Sequence, residues 1–114
     1  MNKVVLFLNK EPLGGLTKEE FIEKLKSALK NRVDECYIFG SFHTDKFSSN
    51  SDVDIILIKK TEKAFLNRGK EFLDLYEIGP KIDLLVYTPE EFTRLLEESA
   101  GFWKSVKETM VRLF

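Results

Sequence analysis

Residues Val53 to Ile58 read Val-Asp-Ile-Ile-Leu-Ile, a run so apolar and so rich in β-branched side chains that it fits a strand buried in a sheet. Two acids mark one end of it. Asp52 stands immediately before the run and Asp54 one residue inside it, and because side chains alternate along a strand both point the same way. A carboxylate held between Val53 and Ile55 costs desolvation, so it needs a reason. Two aspartates on one face at a strand end are suited to holding a cation.

The neighbouring segments place that strand in a fold. Tyr37-Ile38-Phe39 ends a preceding strand, Val33 to Phe39, that stops at Gly40-Ser41. Ile82 to Tyr87 is a third strand with Asp83 near its start. Between the second and third strands, Thr61 to about Glu77 carries Ala64, Phe65, Phe72, Leu73, Leu75 and Tyr76 in a helical pattern, with Gly69 at its centre and Gly79-Pro80 as its stop. A strand-helix-strand crossover makes those two strands parallel. The first must then run antiparallel to the second if Gly40-Ser41 is to reach the edge where Asp52, Asp54 and Asp83 gather.

Helices are expected on either side. Thr17 and Glu20 form a capping box ahead of the apolar face Phe21, Ile22, Leu25, Ala28 and Leu29. Thr88, Pro89 and Glu91 open another helix that runs to about Ser99. Phe102 to Phe114 reads as a last short helix with Val106, Met110 and Leu113 on its apolar side. Val4 to Leu8 is either a short edge strand or a tail packed on the body. The expectation is α/β (α+β): a small mixed sheet of three or four strands flanked by helices, in one domain spanning residues 1–114.

Composition narrows the chemistry. The 18 basic and 19 acidic residues nearly cancel, so bulk charge recommends neither nucleic-acid nor membrane binding. A single cysteine, Cys36, excludes an internal disulfide and a cysteine-based metal site, and fits a reducing cytoplasm. The Val4–Leu8 run is far shorter than the roughly twenty residues of a membrane span, so a soluble chain is expected.

Three carboxylates at one sheet edge repel one another unless a cation compensates them, and oxygen ligands favour a hard divalent ion, Mg²⁺ first and Mn²⁺ second. Such a site could orient a nucleoside triphosphate. Ser41 Oγ and the backbone N–H groups around Gly40 to Phe42 are placed to hold its outer phosphates, and Asp83 to help an incoming hydroxyl lose its proton. His43, the sole histidine, reads as an exposed loop residue. Phe42, Phe47 and Trp103 read as packing rather than as base-stacking groups.

Gly40-Ser41, ten intervening residues, Asp52-Val53-Asp54 and the later Asp83 together resemble the minimal nucleotidyltransferases of the DNA polymerase β superfamily, over about Val33 to Tyr87. The resemblance implies the nucleotidyltransferase fold, with Asp52, Asp54 and Asp83 as catalytic metal ligands and Gly40 and Ser41 as nucleotide contacts. It implies transfer of a nucleoside monophosphate, AMP from ATP, to a hydroxyl acceptor. Members like this one often stand beside a helical HEPN-family partner, and some act as antitoxins by modifying a tyrosine of it. An antitoxin that neutralises its partner by occlusion, with little or no catalysis, is the alternative. In so small a chain, a homo-oligomer or bound partner is expected to complete the site. One departure stands inside the loop: many members have Ala-Arg-Gly where this chain has His43-Thr44-Asp45, leaving Lys46 to replace the arginine or the nucleotide to bind differently or weakly.

Overall fold

The computed structural model describes residues 13–114, and the Val4–Leu8 segment lies outside them. Helix α1, Lys18–Leu29, begins at the expected capping box: Glu20 N–H donates to Thr17 Oγ1 at 3.0 Å and Thr17 N–H to the Glu20 carboxylate at 2.9 Å. Such a cap contributes about 1 kcal/mol. Strands β1, Glu35–Phe39, and β2, Val53–Ile58, pair antiparallel with Phe39 opposite Asp54. Strand β3, Ile82–Tyr87, lies parallel to β2 with Asp54 opposite Asp83. Helix α3, Pro89–Leu95, has its own capping box, in which Thr88 and Glu91 exchange hydrogen bonds.

The crossover departs from the single helix expected over Thr61 to Glu77. It is a short α-helix, α2, Phe65–Arg68, continued by a 3₁₀ segment, Gly69–Glu77, with a non-helical break at Phe72. A 3₁₀ helix turns once every three residues, so Phe72, Leu75 and Ile78 share the inward side while Leu73 and Tyr76 are left exposed.

The C-terminal end also differs. Helix α4 covers only Gly101–Thr109; Met110 is extended, and Val111–Arg112 forms β4, antiparallel to β1. The outer edge of β1 offers unpaired backbone groups, and β4 takes them up, with Leu113 N–H donating to Cys36 O at 2.8 Å. The sheet order is therefore β3-β2-β1-β4, the mixed four-stranded case of the expectation.

The sheet separates two cores. Val53, Ile55 and Leu57 of β2 face Phe21, Leu25 and Leu29 of α1 and Phe72 and Leu75 of the crossover. Ile56 and Ile58 face the other way, against Phe92 of α3 and Trp103 and Val106 of α4. Each such side chain contributes roughly 1.5–3 kcal/mol by leaving water. By alternation Asp54 continues the second of these faces, at the end of the strand where helix cover runs out. Among the described residues no helix is long and apolar enough to cross a membrane.

Candidate active site

Asp54 and Asp83 are register partners on neighbouring parallel strands, so their side chains leave the same face of the sheet about 4.8 Å apart. Asp52 precedes Val53, whose N–H donates to Lys81 O at 3.0 Å and fixes how β2 enters the sheet. Asp54 is half-buried; Asp52 and Asp83 are exposed. Burial first, then the charges of Asp83 and Asp52, push the Asp54 carboxyl above its ordinary value. The three acids are thus one electrostatic unit.

Among the described residues no cation offsets them, and none of the three makes an ion pair. Lys81, a candidate partner for Asp83 by proximity, donates to Ser49 O instead, at 3.0 Å. Neither are the acids closed around a point: no group of three or more His, Cys, Asp or Glu among the described residues is gathered tightly enough to hold a metal ion. All-oxygen donors of matching charge on an open edge suit Mg²⁺, which takes one or two carboxylates and completes its shell with phosphate oxygens and water.

Gly40 abuts this edge. Its φ is +79°, a conformation that side-chain-bearing residues rarely adopt, and a Cβ placed on it would stand 2.5 Å from Asp54 Oδ2. The glycine therefore makes room for the carboxylate. Its N–H donates to Thr109 Oγ1 at 2.9 Å, so the end of α4 holds this turn in place. Ser41 follows, half-buried, with its carbonyl accepting from Thr44 N–H at 2.8 Å and Thr44 Oγ1 at 2.7 Å. Gly40, Asp54 and Asp83 thus meet at one sheet end, with Ser41 and Asp52 next to them in the chain.

Two participants escaped the sequence reading. Thr109 sits 69 positions from Gly40 and looks like any helix-terminal threonine. Lys18 reads as a solvated charge at the start of α1, yet its Nζ donates to Phe42 O at 2.5 Å and lies 5.1 and 5.0 Å from the ring centroids of Phe42 and Phe47. Phe42 itself is fully buried against Phe21, and His43 is exposed, as expected.

A cleft of about 770 Å³ lies elsewhere, at the opposite end of β1 and β2, between Lys26, Lys30, Arg32, Lys59, Lys60 and Phe114. Its Arg32 and Lys59 are already paired with Asp74 and Glu71, both at 2.8 Å. The acid edge, by contrast, is an open surface.

The family model Polymerase beta, Nucleotidyltransferase matches residues 23–107. A crystal structure of a protein from Sulfolobus solfataricus assigned as a nucleotidyltransferase is similar at 28% sequence identity, with a TM-score of 0.47, over 67% of this chain and 68% of that one. Among curated proteins none matches.

Proposed function

The chain belongs to the polymerase beta nucleotidyltransferase family, and from that premise we propose a cytoplasmic, metal-dependent enzyme that transfers AMP from ATP to a hydroxyl of a helical HEPN-type partner, as the antitoxin of a toxin-antitoxin pair. The observation that carries this reading is the uncompensated trio at one sheet end: Asp54 in register with Asp83, coupled to Asp52, beside a glycine whose missing side chain leaves room for the carboxylate.

In this proposal Asp52, Asp54 and Asp83 hold Mg²⁺, with Mn²⁺ as the substitute. When bound, the ion supplies positive charge to the triphosphate. The Gly40-Ser41 turn orients the phosphates so that the acceptor oxygen approaches the α-phosphorus in line with the leaving group. Asp83, the exposed acid on β3, takes the acceptor's proton. A bond forms from that oxygen to the α-phosphorus, the bond from the α-phosphorus to the bridging oxygen breaks, and pyrophosphate leaves. Because Gly40 N–H is already donated to Thr109, the phosphate contacts fall to Ser41 Oγ and the N–H groups that follow it.

The partner is part of the proposal for a second reason. The acid edge is open, so a bound protein would cover it; Leu66 and Leu73 on the outer side of the crossover, 88% and 62% exposed, are a separate apolar surface. The rival reading is an antitoxin that neutralises by occlusion alone; the feature that favours it is that the acids form an open row and not a cage. Purified chain, α-labelled ATP, Mg²⁺ and a helical HEPN-type partner separate the two. Label on the partner from the native chain, and none from Asp52→Asn plus Asp54→Asn, is the expected result. Neutralisation without label, equal in both, leaves only the occluding module.

A further inference from the structure

The turn that faces the acid edge has no cation at its heart: Gly40 to Thr44 reads Gly-Ser-Phe-His-Thr. The fold brings one from elsewhere. Lys18 stands at the first position of α1, and its ammonium is fastened to Phe42 O, above the rings of Phe42 and Phe47. An ammonium carries three donors and spends one on that carbonyl. Its aliphatic stem and the two rings fix where the charge sits, since a cation over an aromatic face is attracted by about 0.5–1 kcal/mol or more.

Unspent donors lie in the same turn. Thr44 N–H is committed to Ser41 O and Gly40 N–H to Thr109, but the N–H groups of Ser41, Phe42 and His43 make no hydrogen bond to another described residue. Two residues along the chain, Gly40 touches the space of the Asp54 carboxylate. The turn thus has a carboxylate against its first residue, Gly40, and an ammonium on the carbonyl of its third, Phe42. That polarity suits a metal-associated polyphosphate: the aspartates would hold its cation and the amine its terminal oxygens.

We propose that Lys18, delivered by α1 and not by the loop itself, is the cation that holds the terminal phosphate groups of the nucleotide substrate against the Gly40–Thr44 turn. The assignment rests on the nucleotidyltransferase reading above and adds to it a substrate-contacting residue outside the paired acids. Lys46, the cation of the loop, is exposed, and only its backbone N–H is tied to the turn, through Thr44 Oγ1 at 3.2 Å.

His43 gives a reporter independent of catalysis. It is the sole histidine, its ring lies edge-on to Phe42, and burial and then the Lys18 charge hold it below its ordinary value. In tag-free protein its ring protons titrate alone in a proton NMR spectrum. Inorganic pyrophosphate and Mg²⁺-ATP are each expected to raise the His43 midpoint in the native chain, because an anion on Lys18 cancels that charge. Lys18→Met, which keeps the packing on the rings, is expected to start from a higher midpoint, to be insensitive to either ligand, and to bind Mg²⁺-ATP at least about tenfold more weakly, the loss of one charge-assisted hydrogen bond. Lys18→Arg is expected to restore binding.

Unaltered Mg²⁺-ATP affinity in Lys18→Met overturns the assignment and leaves the nucleotidyltransferase reading standing. A native chain that binds neither ligand overturns both. The native titration requires no variant, so a folding defect in Lys18→Met does not blunt the test: if Mg²⁺-ATP binds and the His43 midpoint stays still, Lys18 is not the contact.

Discussion

Glu91 and Asp54 are carboxylates fixed near the ends of neighbouring strands, and the chain treats them in opposite ways. Glu91 meets Arg68, whose side chain is 7% exposed and donates to both carboxylate oxygens, at 2.7 and 3.2 Å, and to Val86 O and Lys63 O. The Arg68 hydrogen bond, ahead of the Thr88 contacts, holds the Glu91 carboxyl down to about 2. Asp54 is pushed up by burial first and then by the like charges of Asp83 and Asp52. One arrangement joins the crossover, β3 and α3 into a stable unit. The other leaves charge uncompensated, which a fold retains at a cost to itself and which a bound cation would relieve.

Arg68 carries the largest effect. Replacing it with Met removes the only cation on Glu91 among the described residues and leaves two backbone carbonyls without their donor, so Arg68→Met is expected to lose about 3 kcal/mol in urea unfolding. A loss below about 1 kcal/mol would mean that this pair adds little to the fold.

A smaller and opposite pair of effects appears with pH. Glu91 has its folded value below the ordinary 4.5, so its contribution is present above pH 4.5 and is lost as pH falls toward about 2. Asp54 has its folded value above the ordinary 3.8, so its penalty is full at neutral pH and is relieved as pH falls through the folded value toward 3.8. Urea unfolding of the native chain, Glu91→Gln and Asp54→Asn between about pH 7 and 3 separates the two. The acid-side loss should shrink in Glu91→Gln, and the relief on mild acidification should vanish in Asp54→Asn. Equal pH profiles in all three would remove the contrast.

Legibility in the sequence followed the range of the interactions. Both capping boxes and the full extents of β2 and β3 were readable, because a cap spans three residues and a buried strand shows its apolar run locally. That Asp52, Asp54 and Asp83 gather at one sheet edge followed from the parallel pairing that a strand-helix-strand crossover imposes, whereas the Asp54–Asp83 register was seen only in the fold. The break at Phe72 was not readable, since Phe72 and Leu75 satisfy a period of about 3.0 as well as one of about 3.6 and only packing chooses. Strand β4 was missed because Val111 gains its partner 73 positions earlier, at Ile38. Arg68, Thr109 and Lys18 were missed for the same reason: each is an ordinary helical residue until the fold supplies a partner 18 to 69 positions away.

Thermal unfolding of the native chain and Asp54→Asn, each with and without Mg²⁺-ATP, shows whether the acid edge is kept uncompensated for a cation-bound nucleotide. Without ligand, Asp54→Asn is expected to be the more stable by about 1 kcal/mol, as when a functional site is traded for stability. Mg²⁺-ATP is expected to raise the melting temperature of the native chain and to leave the variant unmoved. An Asp54→Asn chain that is less stable than the native one and responds equally to Mg²⁺-ATP would mean that the acid edge is not kept for the cation-bound nucleotide.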